Sequence, residues 1–259
     1  MQGLIIGLTV PVIGTTLGAA AVYALKDHMP PRLNKLFMGF TSGVMIAAAV
    51  CSLMLPAMEM GGGDGLGAIA PALVGFAAGV ALMLLLDRFT PHEHAADATS
   101  EGPRSTISRT WKLVLAIILH NIPEGMAIGV AFAAVMDGAA AYISVAGALA
   151  LSIGIAIQNV PEGAIVSLPL RAVGNSKNKS FVIGFLSGVV QPVAAILTIW
   201  LASVMVPLMP LLLAFAAGAM LYVVVEELIP ASAQGEHSNI GPLGFAAGFM
   251  LMLVLDSVL

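Results

Sequence analysis

The sequence predicts an all-α integral membrane protein, with eight transmembrane helices in a 3+2+3 inverted-repeat arrangement. Three observations predict it. Only 9% of the residues are charged and 59% are hydrophobic, for a mean hydropathy of +1.01, where a soluble domain carries roughly 25% charged residues. Eight apolar segments reach the length of about 20 residues that crosses a ~30 Å hydrocarbon core. Finally, a stretch in the third segment is written again, nearly unchanged, in the eighth.

The expected spans are 4–25, 36–58, 66–88, 111–135, 140–169, 180–204, 208–230 and 240–259, one transporter-sized domain over 1–259. The first has no basic residues ahead of its apolar run and no clear cleavage site, so it is expected to be kept as a span. Breakers punctuate the linkers: HMPPR at 28–32, GGGDG at 61–65 and RAVGNSKNK at 171–179. The loop 89–110 is the longest polar stretch, too short for a soluble domain. A β-barrel would alternate polar and apolar residues, whereas these runs are apolar on all sides. The single Cys51 excludes an internal disulfide and reads as a packing thiol.

All ten lysines and arginines fall in three loops: Lys26, Arg32 and Lys35; Arg88, Arg104, Arg109 and Lys112; Arg171, Lys177 and Lys179. In an eight-span chain these loops share one side. The positive-inside rule makes that side cytoplasmic, with both termini outside, in the cell (inner) membrane.

GFAAGVALMLLLD (Gly75 to Asp87) matches GFAAGFMLMLVLD (Gly244 to Asp256) at ten of thirteen positions. FTSGVM from Phe40 and FAAGAM from Phe215 are a weaker pair. LHNIPEGM, Leu119 to Met126, and IQNVPEGA, Ile157 to Ala164, share the NxPEG element. The paired spans run in opposite directions, so the chain reads as two inverted halves. Inverted repeats with interrupted helices meeting near the midplane mark secondary transporters. Asp87 and Asp256 close equivalent spans and read as interfacial or capping groups.

The two interruptions carry the chemistry. His120 and Glu124 are four residues apart and share a helix face, as do Asn121 and Glu124 at three. Pro123 and Pro161 have no N–H and are expected to kink their helices, freeing the carbonyls of Leu119 and Ile157. The fifth span supplies Gln158, Asn159 and Glu162. A lone Asn121 or Gln158 would read as interhelical glue. Two glutamates in mid-span, with no lysine or arginine in any span core, are functional candidates that need a cation. Imidazole with carboxylate oxygens suits Zn2+, Fe2+ or Mn2+ better than Na+ or Ca2+. Met45 can add a thioether, and Glu226 with Glu227 and His92 with His94 can pass an ion onward, although an acidic interfacial pair and a solvated loop account for these four equally well.

At HNIPEG and QNVPEG the sequence resembles the ZIP (Zrt/Irt-like protein) family of divalent-metal transporters, in particular its GufA-like prokaryotic branch. The resemblance extends over all eight spans and includes SGVVQPVAA, Ser187 to Ala195, and MLYVVVEELIP, Met220 to Pro230. It implies import of Zn2+ or a related ion by an elevator, with spans one, four, five and six sliding against the other four. It implies metal ligands at His120, Asn121, Glu124, Gln158, Asn159 and Glu162, with Met45 from span two and Gln191 from span six, and an exit along His92, His94, Glu226 and Glu227. The family's sixth-span pattern SGxxEP departs here, because Gln191 stands where the glutamate would be. Only Glu124 and Glu162 then supply negative charge, enough for one divalent ion; a second would add two charges against neutral amides.

The expected substrate is Zn2+, with Fe2+, Mn2+, Co2+ and Cd2+ open, and no cofactor. Expected partners are divalent metal ions and the lipid bilayer, no nucleic acid, and a homodimer as one assembly. The alternative transport reading is a proton-coupled or channel-like cation pathway with Glu124 and Glu162 as proton relays. An intramembrane metalloenzyme would need HExxH or a comparable general base, which the chain lacks, so it is not read as an enzyme.

Overall fold

A computed structural model describes residues 2–24, 29–61, 65–89, 92–93, 100–101, 109–136, 142–204, 208–235 and 238–259. Eight helices in it are long and apolar enough to cross a membrane. They are α1 (Gln2–Ala24), α2 (Pro31–Met60), α3 (Leu66–Phe89), α4 (Arg109–Met136), α5 (Val145–Ala172), α6 (Lys177–Val204), α7 (Met209–Ala233) and α8 (Ile240–Val258). Between α3 and α4, β1 (His92–Glu93) pairs antiparallel with β2 (Ser100–Glu101), setting His92 opposite Glu101.

Local chemistry sets several helix ends. Pro31 opens α2 at a position where the missing N–H costs nothing. The fifth helix starts at Val145 and not at 140, because the Ser144 hydroxyl caps it by accepting the Gly147 N–H at 2.9 Å. The chain leaves α5 through Gly174, whose φ of 94° lies in the left-handed region that glycine tolerates.

Two helices change register along their length. α2 is π-helical over Ala48–Met54 and α7 over Val224–Leu228. The N–H of Leu55 reaches back five residues to Val50, and that of Ile229 reaches back five to Val224. In each helix a proline follows at once, Pro56 or Pro230, and removes the next donor. SLMLPA, Ser52 to Ala57, thus corresponds to EELIPA, Glu226 to Ala231.

The closest helix pairings are α2 with α8, α3 with α7, α1 with α5 and α4 with α6. The pair α2/α8 maps onto α7/α3 in the inverted repeat, and α1/α5 maps onto α6/α4. Backbone approaches carry the same symmetry residue by residue. A Cβ on Gly43 would lie 2.1 Å from the Phe245 carbonyl oxygen, and one on the equivalent Gly218 would lie 2.3 Å from that of Phe76. Gly75 faces the Leu211 carbonyl as Gly244 faces that of Leu36, at 2.2 and 2.4 Å. These are small-residue contacts that let membrane helices touch by their backbones.

α1, α4, α5 and α6 form one bundle; α2, α3, α7 and α8 form the other, and α4 against α7 and α5 against α2 make the seam. The most apolar windows of α4 and α5 are 72% buried, against 22–28% for α3, α6 and α8. The two NxPEG helices are therefore central, α2 and α7 are nearly as buried at 67% and 61%, and α3, α6 and α8 are peripheral.

Candidate metal site

Glycine at the end of each NxPEG element explains why polar side chains from three helices can meet. A Cβ on Gly125 would stand 2.3 Å from the Gln191 carbonyl oxygen, and one on Gly163 would stand 2.1 Å from that of Thr15. With no Cβ in the way, α6 closes on α4 and α1 closes on α5. The side chain of Gln191 is thereby carried to Glu124, one residue before Gly125.

Glu124 is wholly buried and is the focus of the cluster. Its Oε1 accepts the Gln158 amide N–H at 2.5 Å, and its Oε2 accepts the Gln191 amide N–H. The same Gln191 Nε2 faces Oδ1 of Asn121 and Oδ1 of Asn159, each at 3.3 Å, so three oxygens converge on one amide nitrogen. Asn159 Nδ2 in turn donates to Gln191 Oε1 at 2.7 Å. Gln158 Oε1 is buried with no hydrogen-bond partner among the described residues. Such an unpaired lone pair is costly in the interior, and a divalent cation is one group that would use it.

The asparagines are also anchored. Asn121 Nδ2 donates to the Ser187 carbonyl at 2.8 Å, and Asn159 Nδ2 donates to the Pro11 carbonyl at 3.1 Å. These two bonds are equivalent under the inverted repeat, with α1 and α6 as counterparts. Pro11 then corresponds to Ser187 and Thr15 to Gln191. Sequence comparison missed this pairing, because a backbone carbonyl is supplied by any residue and leaves no side-chain signature.

One helical turn before Glu124, His120 lines a narrow pocket together with Glu162, Glu227, Met38, Ile117 and Ile165. Glu162 is 8% exposed and Glu227 4%, so both carboxylates lie in the protein interior along this wall. Glu226, its neighbour on the π-helical segment of α7, is part-exposed. Among the described residues no three His, Cys, Asp or Glu side chains are close enough to share one ion. An ion held in this arrangement therefore draws on the amides as well as on the carboxylates.

The structure thus brings Asn121, Glu124, Gln158, Asn159 and Gln191 into one hydrogen-bonded cluster, and sets His120 and Glu162 beside Glu227 along the pocket. Met45 is buried in the apolar core on α2. His92 belongs to the short ladder after α3, and His94 lies outside the described residues. α4 and α5 remain helical without a break at Pro123 and Pro161. At the far end of α8, Asp256 Oδ1 accepts the Ser52 hydroxyl at 2.9 Å.

The ZIP Zinc transporter family profile matches residues 90–256. The chain is 38% identical over 248 residues to "Zinc transporter ZIPB" of Bordetella bronchiseptica, covering 95% of this chain and 77% of the relative. It is 36% identical to "Zinc transporter GufA" of Myxococcus xanthus, with 94% of each covered, and 32% identical to human "Zinc transporter ZIP11", with 93% of each covered.

Proposed function

The chain belongs to the ZIP family of zinc transporters, and from that premise we propose that it carries divalent transition-metal ions, zinc foremost, into the cytoplasm. The observation that carries the proposal is the meeting of two inverted helices at Glu124, whose buried carboxylate accepts from Gln158 and Gln191, with Asn121 and Asn159 facing the same Gln191 amide. Two carboxylates in mid-membrane, Glu124 and Glu162, with amide oxygens around them, balance one divalent ion. His120 supplies the borderline-soft imidazole that favours Zn2+ over Mg2+ or Ca2+.

The ion leaves the Glu124 cluster by the pocket of His120 and Glu162, where Glu227 takes it toward Glu226 and the cytoplasmic loops, His92 and His94 among them. The positive-inside distribution of lysine and arginine supports a cytoplasmic location for that end, with both termini outside. The two bundles divide the work. The bundle α1, α4, α5 and α6 carries the site and slides past α2, α3, α7 and α8 in an elevator-type alternation. Met45, on α2, belongs to the stationary bundle and adds its thioether when the site passes it.

Gln191 limits the site to one ion. Its Nε2 occupies the point where oxygens of Glu124, Asn121 and Asn159 converge, which is where a second cation would otherwise sit. Zn2+ uptake into proteoliposomes holding a Zn2+-sensitive dye tests the reading, with wild type beside Glu124→Ala and His120→Ala. Saturable uptake in wild type and its loss in both variants is expected. Uptake that survives in both would reduce these residues to interhelical glue and move the search for the site to Glu226 and Glu227.

A further inference from the structure

Among the described residues most hydroxyls within these spans follow one rule; Ser52 donates instead to Asp256, and Thr41 and Ser180 have no partner. Thr9, Thr15, Thr16, Ser42, Ser152, Ser167, Ser187 and Thr198 each donate to a carbonyl three or four residues earlier in the same helix. That is the usual way to satisfy such a group in a membrane helix. Thr41 is fully buried at 0% exposure, yet its Oγ1 has no hydrogen-bond partner among the described residues. Ser180 is similarly unpartnered, but it sits in the first turn of α6, nearly two turns before Ser187.

The position of Thr41 on α2 says what the oxygen faces. Gly39 and Gly43 turn toward α8, where their carbonyl contacts lie. Thr41 is on the opposite face with Met38, three residues before it, and Met45, four after it. Met38 lines the pocket of His120, Glu162 and Glu227. Moving along α2 by about 1.5 Å per residue, the order is therefore pocket wall, hydroxyl, thioether. The counterpart of Thr41 in the inverted repeat is Ala216 on α7, which is buried and carries no polar atom. A buried hydroxyl that no protein group engages is unfavourable compared with a methyl of the same shape, unless something that passes through the protein engages it.

We propose that the Thr41 hydroxyl oxygen is a transient ligand for the divalent ion, taking it between the Glu124 cluster and the pocket of Glu162 and Glu227. This rests on the transport reading above. Oxygen is a harder donor than the Met45 sulfur beside it, so its weight falls on harder ions: it counts for Zn2+ and Mn2+ and less for Cd2+.

The test is uptake by full-length protein in proteoliposomes, for wild type, Thr41→Val and Thr41→Ser, with Zn2+ and with Cd2+ as separate substrates. Thermal midpoints are measured on the same preparations. Thr41→Val removes the oxygen and keeps the shape. It is expected to melt at or above the wild-type temperature, to keep the half-saturating Zn2+ concentration, and to lose about tenfold in maximal Zn2+ rate, the effect of one ligand contact in the barrier. Its Cd2+ rate is expected to fall less, and Thr41→Ser to transport like wild type. A Thr41→Val variant that moves Zn2+ at the wild-type rate overturns the proposal. So does one that melts lower and loses Zn2+ and Cd2+ transport equally, because that is a packing defect. A wild type that moves neither ion would overturn the transport reading itself, and the role of Thr41 with it.

Discussion

Gln191→Glu is the substitution for which the structure makes the sharpest demand. The amide nitrogen at that position donates to Oε2 of Glu124 and faces Oδ1 of Asn121 and of Asn159. A carboxylate there replaces a donor by an acceptor at a point that three oxygens face. Removing a hydrogen bond to a buried charge costs about 1.5–3 kcal/mol. Setting a second carboxylate about 4 Å from the first adds up to roughly 4 kcal/mol at an effective dielectric near 20, the limit in which both ionise, and less where the pair shares a proton. Metal-free Gln191→Glu should therefore be less stable by up to about 7 kcal/mol, a fall in thermal midpoint of several degrees or more for a chain of this size. A divalent ion between the two carboxylates reverses the sign of that interaction. Isothermal titration should then change from one Zn2+ per chain in wild type to two in the variant, and saturating Zn2+ should raise the variant's midpoint more than the wild type's. A variant that melts like wild type without metal and still binds one ion would refute the placement of Gln191 against Glu124. Two tight sites in wild type would refute the claim that the amide takes the place of an ion.

Two further outcomes follow from the packing and from the pocket. Gly163→Ala drives a methyl to within 2.1 Å of the Thr15 carbonyl oxygen, so the thermal midpoint should fall with an overpacking cost of about 1–3 kcal/mol; an unchanged midpoint would mean α1 and α5 are not in backbone contact. Glu227→Gln leaves the Glu124 cluster untouched but removes a charge from the pocket wall, so the maximal Zn2+ uptake rate should fall while equilibrium Zn2+ affinity by titration stays put; a loss of affinity instead would make Glu227 part of the binding site and not of the exit.

The parts of the fold that were legible in the sequence are those written in side chains. Long apolar runs announce spans because the bilayer requires about 20 such residues in a row. The GFAAG stretches announce the α3/α8 correspondence because glycine is needed at each backbone approach, Gly75 and Gly79 on one helix, Gly244 and Gly248 on the other. What stayed hidden is written in the backbone. The α1/α6 correspondence consists of carbonyls, those of Pro11 and Ser187 receiving the two asparagines, and carbonyls have no sequence letter. The π-helical segments of α2 and α7 are shifts in hydrogen-bond register, hinted at only by Pro56 and Pro230. The spacing of His120 and Glu124 put both on one helix face, but it could not say that Gln158 and Gln191 would reach the carboxylate while His120 lined the pocket with Glu162. Thr41 was invisible for a related reason, since a threonine in a membrane helix ordinarily satisfies itself.

The inverted repeat builds a frame with matched halves, and the chemistry resides in the places where the halves disagree. His120 stands opposite Gln158, so only one side of the Glu124 and Glu162 pair has an imidazole. Gln191 stands opposite Thr15, so α6 sends an amide to a carboxylate where α1 does not, and Thr15 bonds back to its own helix at Pro11. Glu226 and Glu227 stand opposite Ser52 and Leu53, so the π-helical segment of α7 puts acid along the pocket, whereas that of α2 puts the buried Leu53 in the core and turns Ser52 to Asp256. A fully symmetric frame would hold an ion equally well toward both faces of the membrane. Under the proposed function these substitutions give the two directions different ligands, and the role proposed for Thr41, opposite Ala216, extends the same bias by one more oxygen, on the side that leads to Glu227.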